Sequence, residues 1–308
     1  MCGIIGYIGT RDAREIIING LKRLEYRGYD SAGMALVNGE TKIFKCAGRV
    51  RDLEDLVNKS SFNGTMGMGH TRWATHGEPN ELNAHPQVSY KGNFVVVHNG
   101  IIENYATLKK HLQSRGVKFS SQTDTEVLAN LIEHLYIEGD LTAEQAITSA
   151  LNRVVGAYGL VIICTNEPDR LFAAKKGSPL VIGVGEGENF IASDATPIVE
   201  FTQRVIYLND DDLAIIKKDE LILKTLRNDS IQPEVKEIDL KMGEIDKEGF
   251  AHFMLKEIFE QPRAIHDTFR GRILPDNSGV MLGGLHNVID SMSQSERIII
   301  IACGTSWH

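Results

Sequence analysis

A chain of 308 residues, 42% hydrophobic and 24% charged, has room for about two domains with a sizeable apolar core, which excludes a disordered or low-complexity protein. The net charge of -8 gives no basic footprint for nucleic acid or an anionic membrane surface, and no apolar run reaches the 18 or so residues of a membrane span. Cys2, Cys46, Cys164 and Cys303 are few and widely spaced, without a CxxC pair or a basic-then-apolar leader in front of them, so reduced thiols and a cytoplasmic setting are expected.

In chain order, Ile16, Ile17, Leu21 and Leu24 recur at helical spacing after Asp12 and stop before Gly28. Met34 to Val37 and Thr41 to Phe44 flank Asn38-Gly39, a strong hairpin signal. Strands are expected at 66–71, 93–98, 158–164, 170–174, 180–184, 190–192, 204–208 and 213–216, and helices at 103–113, 124–137 and 143–154. Strands joined by short turns with grouped helices point to an α+β fold on antiparallel sheets. The polar stretch 241–249 reads as a linker. Beyond it come a helix over 250–269, a second over 284–292, and the apolar run 298–302, expected as a strand buried on both faces and followed by Cys303-Gly304-Thr305-Ser306. One such strand cannot make a doubly wound sheet, so the last 60 or so residues read as the opening of a second domain.

Cys2 stands directly behind the initiator. Removal of Met1 leaves a thiol and a free α-amine on one residue, a nucleophile with its own base. By itself such a cysteine is usually incidental. Asn99-Gly100 at the end of the 93–98 strand is equally a hairpin turn or a two-donor oxyanion site, since an amide side chain and an unobstructed glycine N–H both suit a developing anion. Arg72, beside Trp73, is a surface ion-pair residue or a bidentate clamp for a carboxylate. Thr123-Asp124-Thr125-Glu126 is a capping box, and it also leaves the Asp124 carboxylate at a helix start, where it can meet an ammonium. An arginine for a carboxylate and an aspartate for an ammonium complement an α-amino acid zwitterion. His70, His76, His85 and His98 fit no metal-ligand spacing and are read as packing or loop-ordering residues, so no metal is expected. The run Gly183 to Glu188 lies between two strand-like segments and reads as a hairpin rather than a phosphate loop.

Together these blocks resemble the N-terminal half of the glutamine-fructose-6-phosphate aminotransferase (isomerizing) family, the glucosamine-6-phosphate synthases. The resemblance is carried by Cys2-Gly3-Ile4-Ile5-Gly6, Leu24 to Gly33, His70 to Gly77, His98 to Asn104, Thr123 to Glu126, Lys256-Glu257-Ile258 with Glu260-Gln261-Pro262, and Cys303 to Ser306, and it spans the whole chain. It implies a class II glutamine amidotransferase domain over 1–240 with the N-terminal-nucleophile (Ntn) hydrolase fold, a four-layer α/β/β/α sandwich of two antiparallel sheets. A linker follows at 241–249, then over 250–308 a truncated piece of a doubly wound α/β sugar isomerase (SIS) domain.

Carried over residue by residue, Cys2 is the nucleophile, its α-amine the base, and Asn99 and Gly100 the oxyanion donors. Arg72 holds the α-carboxylate and Asp124 the α-ammonium of L-glutamine, Trp73, Thr75 and His76 line the pocket, and Arg27 supports it. Thr305 and Ser306 match the start of a sugar-phosphate loop. The family uses no metal or organic cofactor, forms homodimers at full length largely through the isomerase domain, and passes ammonia to fructose 6-phosphate. The fragment is expected to carry only the glutaminase half-reaction, with no nucleic acid or membrane partner. Two other readings stay open: the glutaminase domain of another class II amidotransferase, such as amidophosphoribosyltransferase, and a non-catalytic glutamine-sensing module.

Overall fold

A computed structural model describes residues 2–73, 78–238, 249–269, 279, 288–297, 299 and 301–302. The chain divides into two compact units, Met1–Ile245 and Asp246–His308. In the first, the elements run Gly3–Ile8 (β1), Ala13–Leu24 (α1), Ser31–Asn38 (β2), Glu40–Ala47 (β3), Val50–Asn58 (α2), Met66–Arg72 (β4), Gln87–Val88 (β5), Phe94–Ile102 (β6), Tyr105–Ser114 (α3), Asp124–Glu138 (α4) and Ala143–Leu151 (α5). There follow Gly156–Cys164 (β7), Leu171–Lys176 (β8), Val181–Val184 (β9), Asn189–Ala192 (β10), Arg204–Tyr207 (β11), Asp212–Ile216 (β12), Leu221–Thr225 (β13), Ser230–Ile231 (β14) and Lys236–Glu237 (β15).

The strands form two sheets. One has eight strands in the order β15-β11-β9-β10-β1-β4-β2-β3, the other seven in the order β14-β13-β12-β8-β7-β6-β5, and the paired strands within each are antiparallel. Side-chain alternation explains the layering. On β1, Ile4 and Ile8 join Val95 and Val97 of β6 and Val161 and Ile163 of β7 in a core shared by the two sheets, while Ile5 and Tyr7 face away to meet Ile17 and Leu21 of α1 and Leu53 of α2. On β6, Phe94 and Val96 turn the other way and pack with Leu128, Leu131 and Ile132 of α4 and Ile147 of α5. Each sheet therefore has one face on the other sheet and one under helices, the α/β/β/α sandwich expected of an Ntn hydrolase.

The expected strands over 66–71, 158–164, 170–174, 180–184, 190–192, 204–208 and 213–216 all appear, with small shifts of their ends. The hairpin at Asn38-Gly39 forms, with Gly39 at φ 73°, and Gly183 to Glu188 closes a second antiparallel pair between β9 and β10. The sequence reading assigned no element to β1, α2 or β13. It also ended the strand after Asn93 at His98, whereas β6 continues to Ile102, with Asn99 and Gly100 paired to Gly159 and Tyr158 of β7. Asn99-Gly100 is thus neither a turn nor a strand end. The following helix begins only at Tyr105, because the Asn104 side chain is taken by the neighbouring loop: it accepts from the Val155 N–H at 3.0 Å and donates to the Arg153 carbonyl at 2.9 Å.

In the second unit the described elements are the helices Phe253–Phe269 (α6) and Ile289–Ser293 (α7). The buried strand expected over 298–302 does not form among its described residues: Ile299 and Ile301 have no strand conformation and are 68% and 91% exposed. Thr305, Ser306 and most of the 241–249 stretch lie outside the described residues.

Candidate active site

The site lies where β1, β4, β6 and α4 meet. Cys2 is the residue before β1, and the start of that strand is pinned by side chains: the Gly3 N–H donates to Thr71 Oγ1 at 3.1 Å and the Ile4 N–H to Ser193 Oγ at 3.0 Å. The Cys2 thiolate position faces the end of β4, where the Trp73 N–H donates to Sγ at 3.2 Å. Burial pushes the Cys2 thiol above its ordinary pKa, against the opposing pull of the Trp73 N–H and the Arg72 guanidinium. At neutral pH the sulfur is therefore protonated and needs a base to become a nucleophile.

From the other sheet, β6 brings Asn99, 8% exposed, whose Nδ2 donates to the Cys2 carbonyl at 3.0 Å. Gly100 follows at φ 128°, and a Cβ there would stand 2.0 Å from the Ala157 carbonyl oxygen, so this position admits only glycine. The end of the same strand fixes Asp124: the Ile102 N–H donates to Asp124 Oδ2 at 2.8 Å. Asp124 is the first residue of α4, behind the cap in which Thr123 Oγ1 accepts from the Glu126 N–H at 3.2 Å, so its carboxylate lies at the positive end of the helix. One strand thus sets both the Asn99-Gly100 pair and the acidic group.

Arg72 ends β4 and is 3% exposed, donating to the Glu78 carbonyl at 3.3 Å. Burial lowers its pKa while Cys2, Asp30 and Asp124 act in the opposite direction, so it remains a guanidinium. Together Cys2, Arg72, Asn99, Gly100 and Asp124 line one cavity of about 240 Å³, with Arg27, Trp73, His85, His98, Ile101, Thr123, Thr125, Ser178 and Pro179 completing its wall.

Arg27 receives a definite position. Its guanidinium pairs with the Asp194 carboxylate and donates to the Tyr26 hydroxyl at 3.1 Å, tying the segment after α1 to the loop after β10. Trp73 is half exposed at the cavity wall, edge-on to Tyr29 with ring centroids 5.5 Å apart. Thr75 and His76 lie outside the described residues. His70, His85 and His98, read from sequence as packing or loop-ordering residues, are buried, and His85 and His98 reach the cavity wall. The sequence reading missed Thr71, Ser193, Ser178 and Pro179. Nothing local marks them, since the pairing of β1 with β4, of β1 with β10 and of β7 with β8 carries them to the site. Among the described residues, no group of His, Cys, Asp or Glu is arranged to hold a metal ion, and no helix is long and apolar enough to cross a membrane.

A glutamine amidotransferase domain family matches residues 70–200, which contain Arg72, Asn99, Gly100 and Asp124. The chain is 52% identical over 312 residues to a glutamine–fructose-6-phosphate aminotransferase (isomerizing) of Chlorobaculum tepidum, covering all of this chain and 51% of the relative. It is 51% identical over 311 residues to the enzyme of the same name in Bacteroides thetaiotaomicron, with the same coverage. The chain therefore spans about half the length of the curated relatives it matches. Among solved structures it resembles the glutamine phosphoribosylpyrophosphate amidotransferase of B. subtilis, with a TM-score of 0.64 and 27% identity over 73% of this chain and 49% of that one. That similarity stops short of the full chain, while the similarity to the aminotransferases extends from end to end. By fold and by sequence, then, the chain carries a glutamine amidotransferase domain match over residues 70–200 and is, along its whole length, a homologue of the glutamine–fructose-6-phosphate aminotransferases.

Proposed function

We propose that this chain hydrolyses L-glutamine to glutamate and ammonia at Cys2. The observation that carries the reading is the convergence of a thiol, an amide donor, a glycine, a guanidinium and a carboxylate on one cavity. The Arg72 guanidinium takes the α-carboxylate of glutamine and the Asp124 carboxylate its α-ammonium, which places the side-chain amide over Cys2. With Met1 removed, the α-amine of Cys2 accepts the thiol proton and the sulfur attacks the amide carbon. The carbonyl oxygen becomes an oxyanion held by Asn99 Nδ2–H and the Gly100 N–H. Collapse transfers the proton to the leaving nitrogen and expels ammonia, leaving a γ-glutamyl thioester. Water, deprotonated by the same amine, then attacks the thioester through a second oxyanion and releases glutamate and the thiol.

In a protein of the relatives' full length, the ammonia is passed to fructose 6-phosphate to give glucosamine 6-phosphate. To that proposal belong the division into a glutaminase domain at 1–240, a linker at 241–249 and the start of a sugar isomerase domain at 250–308, with Thr305 and Ser306 on a sugar-phosphate loop and a homodimeric assembly. Thr75 and His76 complete the glutamine pocket beside Trp73. A cytoplasmic setting agrees with Cys2, Cys46 and Cys164 being free thiols.

Ammonia release from glutamine by the purified chain tests the reading, together with intact-mass analysis after exposure to an electrophilic glutamine analogue. A single adduct on a chain lacking Met1, absent in Cys2→Ala, is expected. Neither ammonia nor adduct from the wild-type chain would overturn it. The 308 residues alone are expected to release ammonia from glutamine and to make no aminated sugar.

A further inference from the structure

His70 lies on β4 two residues before Arg72, fully buried, with its backbone paired to Ile4 of β1 and Gly33 of β2. Its Nε2 is 3.0 Å from the His98 carbonyl oxygen and 3.1 Å from Asn99 Oδ1. A carbonyl oxygen can only accept, so Nε2 is the protonated nitrogen and the Asn99 atom facing it must be the acceptor. The amide NH₂ of Asn99 is thereby turned the other way, where it meets another obligate acceptor, the Cys2 carbonyl, at 3.0 Å.

The ring is held in this tautomer. Among the described residues His70 Nδ1 is buried without a hydrogen-bond partner, so a second proton would be poorly accommodated in the interior, and burial accordingly pushes the pKa of His70 down to about 3. Its face lies against the His85 ring, with centroids 4.2 Å apart. His85 Nε2 is 2.8 Å from Thr125 Oγ1, and the same hydroxyl is 3.0 Å from His98 Nδ1. The imidazole is thus fixed in position, in charge and in donor direction.

We infer that His70 is a positioning residue for the reaction: its Nε2–H, acting with the Cys2 carbonyl on the other side of the amide, holds the one orientation of Asn99 that presents N–H, rather than a carbonyl lone pair, to the oxyanion. The inference rests on the reading of Asn99 as an oxyanion donor. Rotation of the amide by half a turn removes that donor and sets Oδ1 in its place, while the gross structure and the Arg72 and Asp124 ends of the site are untouched. The loss is therefore confined to the transition state and appears in kcat rather than KM.

The test uses ammonia-release kinetics and thermal unfolding of the full chain as wild type, His70→Leu, His70→Gln, His70→Asn, Asn99→Ala and the His70→Leu/Asn99→Ala double variant. His70→Leu is expected to lower kcat about 100-fold, on the scale of losing an oxyanion donor, with KM little changed. The Gln side chain carries an N–H close to the place of Nε2 and recovers most of that loss, whereas the shorter Asn does not. In the Asn99→Ala background His70→Leu adds little, because the group it orients is already gone. The inference is overturned if His70→Leu keeps wild-type kcat, if Gln and Asn behave alike, or if the His70→Leu and Asn99→Ala losses multiply. Should His70→Leu fail to fold, the comparison of Gln with Asn decides. An inactive wild type overturns the glutaminase reading itself, a result distinct from each of these.

Discussion

The side-chain amide of Asn99 donates to the carbonyl of Cys2 at 3.0 Å, linking residues 97 apart in sequence and carried by different sheets. This bond holds the start of β1 against β6 and leaves the amide beside the thiol. Asn99→Ala removes both the link and the proposed oxyanion donor. A fall in kcat of about 10²- to 10³-fold with little change in KM is expected. Steady-state ammonia release measures it; an unchanged kcat would remove Asn99 from the transition state.

Gly100→Ala is expected to destabilise the fold as well as to inactivate it. Its φ of 128° is closed to a residue with a Cβ, and that atom would meet the Ala157 carbonyl of the adjacent strand. Strain of this kind costs about 1–3 kcal/mol before the clash is counted. Denaturant unfolding reads the loss as a lowered midpoint with unchanged slope.

The two ends of the amino acid are expected to separate by substitution. Arg72→Lys keeps the charge but loses the planar fork, and is expected to raise KM for glutamine with a smaller effect on kcat. Asp124→Asn keeps an oxygen to accept from the Ile102 N–H but loses the charge opposite the ammonium. A charge-assisted hydrogen bond is worth about 1.5–3 kcal/mol, so kcat/KM is expected to fall about 10- to 100-fold. A substrate lacking the α-amine discriminates poorly between wild type and Asp124→Asn if the assignment holds; equal discrimination by both would refute it.

Stability should fall on the acid side of neutrality. Burial lowers the pKa of folded His70 to about 3, and that of His85 well below its ordinary value, while the unfolded chain titrates near 6.5. As pH falls below 6.5 the unfolded state takes up protons that the folded state refuses, so their stabilising effect is complete above pH 6.5 and is progressively lost toward pH 3. At pH 5 His70 alone accounts for about 2 kcal/mol. Denaturant midpoints measured from pH 7 to 5 are expected to drop, and His70→Gln to flatten that slope.

Legibility in the sequence followed the range of the interaction. The capped start of α4, the Asn38-Gly39 hairpin and the helical spacing of Ile16 to Leu24 are set within a few residues, and they were readable there. The extension of β6 through Asn99 and Gly100 was not. A dipeptide favoured in turns is held extended by its partners Gly159 and Tyr158, about 60 residues onward. The apolar run 298–302 shows the reverse case. Local composition favours a strand, but the described Ile299 and Ile301 have no strand conformation and are exposed.

The sequence by itself determined which chemical groups are present and in what local setting: the thiol at position 2, the arginine at a strand end and the carboxylate in the first turn of a capped helix. Those are properties of side-chain chemistry and of backbone preferences that act over a few residues. Only the tertiary structure decided that Cys2, Arg72, Asn99 and Asp124 share one cavity, that Arg27 is bound to Asp194, and that His70 faces the oxygen rather than the nitrogen of Asn99. Both faces of the central strands of each sheet are buried, so these strands read as apolar runs whose registers and neighbours are chosen by packing across the whole unit.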